Sequence, residues 1–350
     1  MLEAKKIVID LVTWNGLAYL PNFFSSLDEQ TLKDFTITVV DNASDDGTIK
    51  WLTENRPDAA VLRNFRNQGF SRAHNQAVTL ALSRWPEEAW PERYIVVANQ
   101  DMEFAPGCLE QLLRAMEADS SLAACGPKVL RAYVAGDYDG RRETERTDII
   151  DTTGLAVTRA RRFFDRGAGE QDRGLYDSAT EVFGLSGTCI MFRASALAQA
   201  KLNGEFFDED FYMYKEDADL AWRMRRLGMK VRFVPGAVVW HHRSAPSGRQ
   251  GWLWLRAFMR RFGKPARINY QSTRNHVWLA WKNDECANRL LHAPWIVPYE
   301  LGKLAVAWTS WATLRGYAAA LAGLPKMWKK RRELRRRAKA SGRDMRKWFV

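Results

Sequence analysis

Two apolar runs of strand length each end on an aspartate, and this arrangement restricts the fold more than any other feature of the chain. Residues 35–40 lead into Asp41, and residues 94–98 lead into the Asn-Gln-Asp sequence that ends at Asp101. Both runs are rich in β-branched residues and lack polar alternation, which is typical of strands buried on both faces of a sheet. In an open α/β sheet, ligands bind just beyond the carboxyl ends of the strands. The pattern therefore predicts an α/β fold with a polar site for phosphate and a metal ion at that edge.

Strand and helix patterns alternate from residue 6 to residue 130, which predicts a doubly wound, mostly parallel sheet of Rossmann-like type. Further strands are expected at 7–12, 61–63 and 122–129, and helices at 17–27, 69–83 and 108–116. Residues 131–180 are polar and rich in Arg, Asp and Gly, and we interpret them as an insertion or a mobile loop. Two more strands are predicted at 230–234 and 237–240.

The net charge of +12 is concentrated at the C-terminal end of the sequence. Residues 326–350 contain twelve basic and two acidic residues, a charge of +10, which leaves +2 for residues 1–325. A basic run of this kind is usually a solvated or disordered end. It also fits binding to nucleic acid or to an anionic membrane surface, to which each basic residue contributes about 1 kcal/mol.

An apolar segment precedes the basic run and bears on the choice between these partners. Residues 304–323 are mostly apolar, but Arg315 interrupts them and tryptophans are scattered around them. These features favour a helix that lies in the membrane interface over one that spans it, and a core helix is the alternative. We therefore expect a domain at 1–245, a helical membrane-proximal region at 246–325 and a basic tail at 326–350.

A second acidic cluster begins a predicted helix at residues 215–228. Asp217 shares a helix face with Leu220 and is expected to point inward. Asp219 lies on the opposite side, four residues before Arg223, where we expect a surface ion pair. An inward carboxylate at a helix N-terminus is either a cap or a general base at the edge of a cleft.

Two adjacent histidines end the predicted strand at 237–240. Because they are consecutive, one of His241 and His242 can face inward while the other faces outward. Together with Asp101, the inward histidine would form a mixed carboxylate and imidazole site for Mn²⁺ or Mg²⁺.

Seven short motifs occur in the order found in glycosyltransferase family 2. The chain resembles the bacterial rhamnosyltransferase-like branch of that family, which has the GT-A fold. The motifs are VTWN (12–15), VVDNASDDGT (39–48), RNQGF (66–70), NQD (99–101), GLSGTCIMFR (184–193), KEDADLAWR (215–223) and VVWHH (238–242). The resemblance spans residues 5–245 and, more loosely, the basic C-terminal region.

The resemblance implies a role for each matching residue. On the nucleotide side it places Thr13, Asn15, Asp41, Asn67, Gly69 and Asn99, with Asp41 paired to the N3–H of the base. It implies that Asp101 binds the metal on the diphosphate, that His241 or else His242 completes the metal site, and that Asp217 is the catalytic base. It places Gly187, Thr188 and Glu216 on the acceptor or sugar side.

Two positions depart from the pattern of the family. Asn99 stands where a stricter DxD motif has an acid, so one carboxylate of that motif would contact the metal directly. His74 stands where the family commonly has an arginine, which leaves the contact to the phosphate open.

The activity implied by the resemblance is inverting transfer of a sugar from a nucleotide diphosphate to a glycan or lipid-linked acceptor in cell-surface polysaccharide synthesis. The implied donor is dTDP-rhamnose, and UDP-sugars such as UDP-galactofuranose stay open. A divalent cation would neutralise the leaving diphosphate, while Asp217 deprotonates the acceptor hydroxyl. One alternative is a sugar nucleotidyltransferase, which would need a glycine-rich basic loop that VTWNGLAYL does not provide. The other is a nucleic-acid-binding protein, against which the nearly neutral residues 1–325 argue, so no nucleic acid is expected.

The location of the protein is predicted from both ends of the sequence. MLEAKKIVID does not have the form of a signal peptide, and the four widely spaced cysteines are typical of a reduced chain. We expect a cytoplasmic protein that is peripheral at the inner face of the plasma membrane. Deletion of residues 326–350 should then weaken membrane recovery and leave catalysis in place.

Overall fold

The computed structural model describes residues 5–138, 141–243 and 265–350. Residues 246–264 of the predicted membrane-proximal region lie outside the described residues. The strands are β1 (Ile7–Thr13), β2 (Phe35–Asp41), β3 (Ala60–Arg63), β4 (Tyr94–Asn99), β5 (Met102–Phe104), β6 (Leu122–Tyr138), β7 (Arg141–Thr152), β8 (Leu155–Val157), β9 (Phe163–Asp165), β10 (Cys189–Arg193) and β11 (Lys230–His242).

The α-helices lie on both sides of the sheet and at the C-terminal end of the chain. They are α1 (Leu20–Asp28), α2 (Thr48–Asn55), α3 (Gly69–Ser83), α4 (Cys108–Ala118), α5 (Ala194–Ala200), α6 (Glu216–Arg226), α7 (Ala266–Asn283), α8 (Cys286–Leu291), α9 (Ala293–Ala307), α10 (Trp311–Arg337) and α11 (Gly342–Met345).

The central sheet has the strand order β3-β2-β1-β4-β10-β6-β11-β5, with β7 paired to β6. Strands β1 to β4 are parallel to one another, and β10 runs antiparallel to β4. The register sets Thr13 beside Asp41 and Val12 beside Asn99, so the carboxyl ends of β1, β2 and β4 lie together. Apolar side chains from both faces of these strands enter separate core clusters, which explains why their sequences do not alternate. The α/β fold prediction is confirmed.

The polar segment after β6 forms strands in its described part. Strands β6 and β7 make an antiparallel hairpin, and β8 pairs with β9 in a two-stranded ribbon. The hairpin brings Asp151 and Thr152 beside Val129, next to the edge where β11 ends.

Strand β11 is continuous from Lys230 to His242, whereas the sequence predicted two strands. Its parallel register with β6 shifts between Val234 and Val238, around Pro235 and Gly236. Proline cannot donate a ladder hydrogen bond, so the pairing is interrupted there without ending the strand. The consequence for the site is that His241 and His242 are fixed in a sheet rather than on a short terminal strand.

The C-terminal helices pack on the α/β domain, and the predicted apolar segment at 304–323 is not one helix. Helix α9 ends at Ala307 and α10 begins at Trp311. Helix α10 approaches α7 so closely that a Cβ on Gly323 would lie 2.4 Å from the Trp278 ring. Among the described residues, no helix is both long and apolar enough to cross a membrane.

The basic run begins in helix α10 and packs on the protein, so the prediction of a disordered end is wrong, while most of its basic side chains are solvent-exposed as predicted. Lys330, Arg331 and Leu334 are each at most 3% exposed. At the end of the chain, the Phe349 ring lies 5.8 Å from that of Trp222, and the Val350 amide donates to the Val157 carbonyl at 3.1 Å. The physical reason is that acidic and apolar partners distant in sequence surround these side chains, and a charge count along the chain does not reveal them.

Deletion of residues 326–350 is therefore expected to destabilise the α/β domain, instead of releasing it intact from a membrane. The deletion removes Met327, Met345 and Phe349 from a core cluster that also contains Trp222. Each buried side chain of this size contributes about 1.5–3 kcal/mol. Thermal unfolding and solubility of the truncated chain check this expectation. An unchanged melting temperature and unchanged solubility would contradict it.

Candidate active site

The carboxyl ends of β1 and β4 are joined by side-chain hydrogen bonds. The Thr13 hydroxyl donates to Gln100 Oε1 at 2.6 Å, and the Trp14 amide donates to the same oxygen at 2.9 Å. Gly16 packs so closely against Gln100 that a Cβ there would lie 2.3 Å from Oε1. Gln100 therefore fixes the first loop of the domain to the segment that carries Asp101.

Asp41 lies fully buried at the end of β2, below the loop that follows it. Its Oδ2 accepts a hydrogen bond from the Ser44 amide at 3.2 Å, while Oδ1 has no hydrogen-bond partner within the described part of the chain. The same loop is joined to Asn15, whose Oδ1 accepts from the Asp45 amide at 3.0 Å. A buried carboxylate oxygen without a partner is costly, so a donor from a ligand would satisfy it.

A network of amides shapes the turn before α3. Asn67 Oδ1 accepts from the Asn42 side chain at 3.0 Å, from the Gly69 amide at 2.9 Å and from the Tyr212 hydroxyl at 3.0 Å. Gly69 has φ of +78°, and a Cβ there would lie 2.6 Å from Tyr212. A side chain at this position would meet both backbone strain and a clash. The turn is thus built against the loop that precedes α6.

Asp101 and His241 lie side by side at the edge of the sheet. Asp101 Oδ2 is 3.3 Å from His241 Nε2, and the Asp101 side chain is 28% exposed. His241 Nδ1 lies 2.8 Å from Asp151 Oδ2, and Arg243 donates to the same carboxylate at 2.8 Å. The result is a carboxylate–histidine–carboxylate chain whose outer member, Asp101, reaches solvent.

The charges of this chain stabilise one another. Burial favours the neutral imidazole, but the hydrogen bonds that protonated His241 donates to Asp101 and Asp151 raise the pKa of His241 to about 9. Burial alone would raise the pKa of Asp101, but the hydrogen bond and charge of His241 keep that pKa below its ordinary value. His241 is therefore protonated at neutral pH when nothing else is bound to its Nε2.

The residues at this edge fit a divalent cation with few protein ligands. Asp101 offers a carboxylate oxygen and His241 offers Nε2, and Asp151 on Nδ1 orients the ring as carboxylates do behind metal-bound histidines. Among the described residues there is no group of three or more His, Cys, Asp or Glu that could bind a metal by itself. The remaining ligands would have to be oxygens of a substrate or of water, which suits Mg²⁺ or Mn²⁺.

Asp217 is the second residue of α6 and faces the loop before β10. Its Oδ2 accepts a hydrogen bond from the Gly187 amide at 3.1 Å, and Oδ1 accepts from the Ala218 amide at 2.7 Å. Burial raises the pKa of Asp217 despite these hydrogen bonds. The neighbouring Thr188 carbonyl accepts from the Asn99 amide at 3.0 Å, which connects the Asp217 loop to the end of β4. The geometry thus supports both interpretations of Asp217, since the carboxylate caps its helix and has the raised pKa of a base.

Residues 9–200, more than half of the chain, match the family described as Glycosyl transferase family 2. The chain belongs to glycosyltransferase family 2. Two N-acetylglucosaminyl-diphospho-decaprenol L-rhamnosyltransferases, from two strains of Mycobacterium tuberculosis, are each 31% identical to it over 244 residues. Those alignments cover 68% of this chain and 76% of each relative.

Solved structures of glycosyltransferases share the fold of this chain. GalNAc-T7 with UDP, GalNAc and Mn²⁺ has a TM-score of 0.56 and 13% identity, over 79% of this chain and 48% of that one. The mannosyltransferase PcManGT from Pyrobaculum calidifontis, with GDP-Man and Mn²⁺, has a TM-score of 0.50 and 17% identity, over 93% of this chain and 76% of that one. These likenesses confirm the predicted GT-A fold.

The glycosyltransferase contains two further acids beside Asp217. Burial raises the pKa of Glu216 to about 8, with Asp217 adding to the shift, and Glu216 Oε2 has no hydrogen-bond partner in the described ranges. Burial raises the pKa of Asp165 to about 6, with the charges of Asp217 and Asp151 adding to it. Three carboxyl groups therefore share this part of the cleft, and Glu216 is neutral at pH 7.

The glycosyltransferase structure revises the expectation for Asp219 and bears on two points that the sequence left open, the contact of His74 and the choice between His241 and His242. Asp219 is fully buried, so its pair with Arg223 at 3.3 Å is not on the surface. His74 is also fully buried and bonds Asp10 at 2.8 Å, so it makes no phosphate contact. His242 faces away from Asp101 and lies 2.8 Å from Glu103, which leaves His241 beside Asp101.

Several contacts of the site could not be read from the motifs of this glycosyltransferase. Gln100 lies inside a recognised motif, but its bond to Thr13 gives no sequence signal. Asp151 and Asp165 lie in the segment interpreted as an insertion or a mobile loop, and the strand pairing that brings them to the cleft is long-range.

Proposed function

We propose that this glycosyltransferase transfers rhamnose from dTDP-rhamnose to a lipid-linked N-acetylglucosamine acceptor in cell-surface polysaccharide synthesis. The observation that carries the proposal is the 31% identity to two rhamnosyltransferases whose names specify that acceptor class. The fold alone would equally suit UDP-sugars, because GalNAc-T7 binds UDP on a similar sheet.

On the donor side, Asp41 would accept a hydrogen bond from the base of the nucleotide. Its unpartnered Oδ1 supports this role, since the pyrimidine N3–H supplies the missing donor. Thr13, Asn15 and Asn67 shape the two loops that flank the carboxyl end of β2. Gly69 allows the second loop to approach Tyr212 closely.

On the diphosphate side, Asp101 and His241 would bind a divalent cation together with donor oxygens. The bound cation supplies positive charge for the leaving nucleotide diphosphate. For this role His241 must lose the proton that Asp101 and Asp151 stabilise, and Asp151 then keeps Nε2 directed at the site.

On the acceptor side, we assign to Asp217 the role of general base in a single displacement with inversion. Asp217 takes the proton of the acceptor hydroxyl as the oxygen attacks the anomeric carbon, and the bond to the diphosphate oxygen breaks. The Gly187 amide keeps the carboxylate in place, and burial brings its pKa closer to neutrality, which suits a base. Gly187, Thr188 and Glu216 line the side from which the acceptor approaches.

The membrane-facing part of the protein is assigned to α8, α9 and the start of α10, together with the exposed basic side chains of residues 326–350. These helices expose large apolar side chains that we call the apolar surface: Leu290, Leu291, Trp295, Val297, Leu301, Leu304, Trp308 and Trp311. Trp308 is 81% exposed and Trp311 73%. Exposed tryptophans beside basic residues are typical of surfaces that bind the membrane interface.

Asp151→Asn is expected to weaken Mn²⁺ binding in the presence of nucleotide by about 10–100-fold, the usual effect of removing a carboxylate behind a metal-bound histidine. Because Asn cannot accept in the same way from both His241 and Arg243, the imidazole loses its orientation. Titration of Mn²⁺ by electron paramagnetic resonance measures the change. Asp172→Asn, at a carboxylate paired with Lys128 instead, is the control and should leave the affinity unchanged.

A donor screen tests the proposed function. Purified protein is incubated with Mn²⁺, a polyprenyl-diphospho-N-acetylglucosamine acceptor and one sugar nucleotide at a time, and release of nucleotide diphosphate is followed. Acceptor-dependent release from dTDP-rhamnose is expected. Release only from a UDP-sugar would favour the other donor class, and release from none would overturn the proposal.

A further inference from the structure

An apolar groove of about 370 Å³ lies between α7, α9 and the loop that joins β8 to β9. Its apolar lining consists of Ala160, Val277, Ala280, Trp281, Leu290, Ala293, Ile296 and Val297. The volume is within the range of about 300–1,000 Å³ of small-molecule sites. The groove is open on one side, and a hydrocarbon segment fits its apolar lining.

The charged groups around the groove are paired with one another. Arg161 bonds Asp284 at 2.8 Å, and His276 Nε2 lies 2.6 Å from Glu300 Oε1. Lys303 pairs with the same Glu300 carboxylate at 3.0 Å. Because these charges are satisfied at the rim, the interior presents mainly hydrocarbon, and a polar ligand would find few partners there.

One end of the groove adjoins the loop that carries the proposed base. His276 lines the groove, and the preceding residue, Asn275, donates to the carbonyls of Phe211, Met213 and Tyr214 at 2.8–2.9 Å. Lys303 lies near the His276 imidazole, because both groups bond the Glu300 carboxylate, at 3.0 Å and 2.6 Å. Burial lowers the pKa of His276 to about 4, and the charges of Lys303 and Lys215 add to this effect. Lys215 is two residues before Asp217.

The other end of the groove opens onto the apolar surface. Leu290 and Val297 belong to both the groove lining and the apolar surface, and they are 78% and 51% exposed. A chain that leaves a bilayer at this surface could therefore enter the groove without crossing water.

We propose that the groove holds the hydrocarbon chain of the lipid-linked acceptor, with the diphosphate of the acceptor directed past His276 toward Asp217. The inference rests on the proposed transfer to a lipid-linked acceptor. The apolar interior matches the chain, and Lys303, paired with Glu300 beside His276, places a cation at that end of the groove. The groove accommodates the part of the chain nearest the diphosphate, and the rest of a long chain stays in the bilayer.

The test separates the groove from the apolar surface around it. The full-length protein in detergent micelles is labelled with a polyprenyl diphosphate that carries a photoreactive diazirine near the diphosphate, and the labelled peptides are identified by mass spectrometry. Val297→Trp fills the groove but keeps the surface apolar, and Val297→Asp places a charge in it. Leu304→Asp is the matched control, since Leu304 is 43% exposed on the same helix but does not line the groove.

Labelling of peptides from α7 and α9 is expected in the unmodified protein, reduced about tenfold or more in both Val297 variants and retained in Leu304→Asp, because only the Val297 changes occupy or charge the groove. Thermal unfolding shows that each variant is folded, and two different changes at one exposed position guard against a folding defect. Labels spread over Trp308 and Trp311, or equal labelling in all variants, would overturn the inference. A Val297 variant that changes only the oligomeric state would overturn it as well, in favour of a second copy as the occupant.

The outcome is independent of the donor sugar. Labelling of the groove without transfer from any sugar nucleotide would leave the inference standing and contradict the proposed function. Transfer of rhamnose to the acceptor with labelling elsewhere would do the reverse. With active protein, Val297→Trp should also lose the preference for a long-chain acceptor over a short alkyl one with the same diphospho-sugar.

Discussion

Asp217→Asn is expected to abolish nearly all sugar transfer while donor binding is retained. Asparagine keeps the size of the side chain and an oxygen that accepts from the Gly187 amide, so the loop geometry should persist. It cannot accept the proton of the acceptor hydroxyl, and loss of a general base typically costs about 10²–10⁴-fold in rate. Transfer kinetics and calorimetric titration with the nucleotide donor measure the two effects separately.

Asp34→Asn is the control for this variant, because the Asp34 side chain is 50% exposed and its ion pair with Lys5 is 3.5 Å long. The unmodified enzyme should also lose activity as the pH falls through the pKa of Asp217, which burial raises, since the base must be unprotonated. The variant should lack this acidic limb. Near-normal turnover of Asp217→Asn would remove the residue from the catalytic step and leave it as a helix cap.

Lys282→Met is expected to destabilise the fold by about 3–5 kcal/mol, as removal of one partner from a buried ion pair does. The Lys282 ammonium is fully buried and lies 2.6 Å from Asp208 and 2.7 Å from Asp219. Without it, both carboxylates keep fewer partners in a buried site. Urea unfolding of the variant measures the loss, and a double variant with Asp219→Asn should recover part of it.

Lys326→Met provides the matched control within the same cluster. Lys326 pairs with Asp210 at 2.5 Å but is 63% exposed, and an exposed pair contributes about 0–1 kcal/mol. Equal effects of the two substitutions would contradict the assignment of Lys282 as the buried link.

The same cluster makes the stability depend on pH. Burial alone would raise the pKa of Asp208, but the charges of Lys282 and Lys330 hold that pKa below its ordinary value. The stability from this cluster is therefore present above the ordinary pKa of Asp and lost as the pH falls toward the depressed one.

The ion pairs give part of the basic C-terminal region a structural role in the fold. Lys330 on α10 lies 2.5 Å from Asp208 and 2.8 Å from Asp210, in the loop that leads to Asp217. Helices α7 and α10 therefore brace the loop before the proposed base from two sides. The charge run predicted a free tail because sequence position shows the lysines but not the acids they meet after folding.

The first half of the fold could be predicted because its signals are local. Apolar runs of strand length and the turns between them indicated β1, β2 and β4 with their polar ends, and α3 begins and ends where the periodicity placed it. The β6–β7 hairpin could not be predicted in this way, since its polar sequence is stabilised by pairing across the sheet. The His241 partner Asp151 depends on that pairing.

The order of the motifs named most residues of the candidate site, whereas their mutual contacts are seen only in the folded structure. Asp101 and His241, 140 residues apart, lie in contact because β11 pairs with β5 directly after β4. The orientation of consecutive histidines could not be assigned from sequence, and only the strand register shows that His242 bonds Glu103. The sequence analysis expected Asp219 on the surface, because α7, which buries it, follows more than forty residues later in the chain.

Analysis of the product of the transfer reaction tests the central claim most directly. The protein is incubated with dTDP-rhamnose, a divalent cation and a polyprenyl-diphospho-N-acetylglucosamine acceptor, and the product is examined by mass spectrometry and nuclear magnetic resonance. We predict one rhamnose added to the acceptor, with the anomeric configuration opposite to that of the donor. A product with the donor's configuration would contradict the single displacement with Asp217 as base, and no rhamnosylated product would contradict the proposed function.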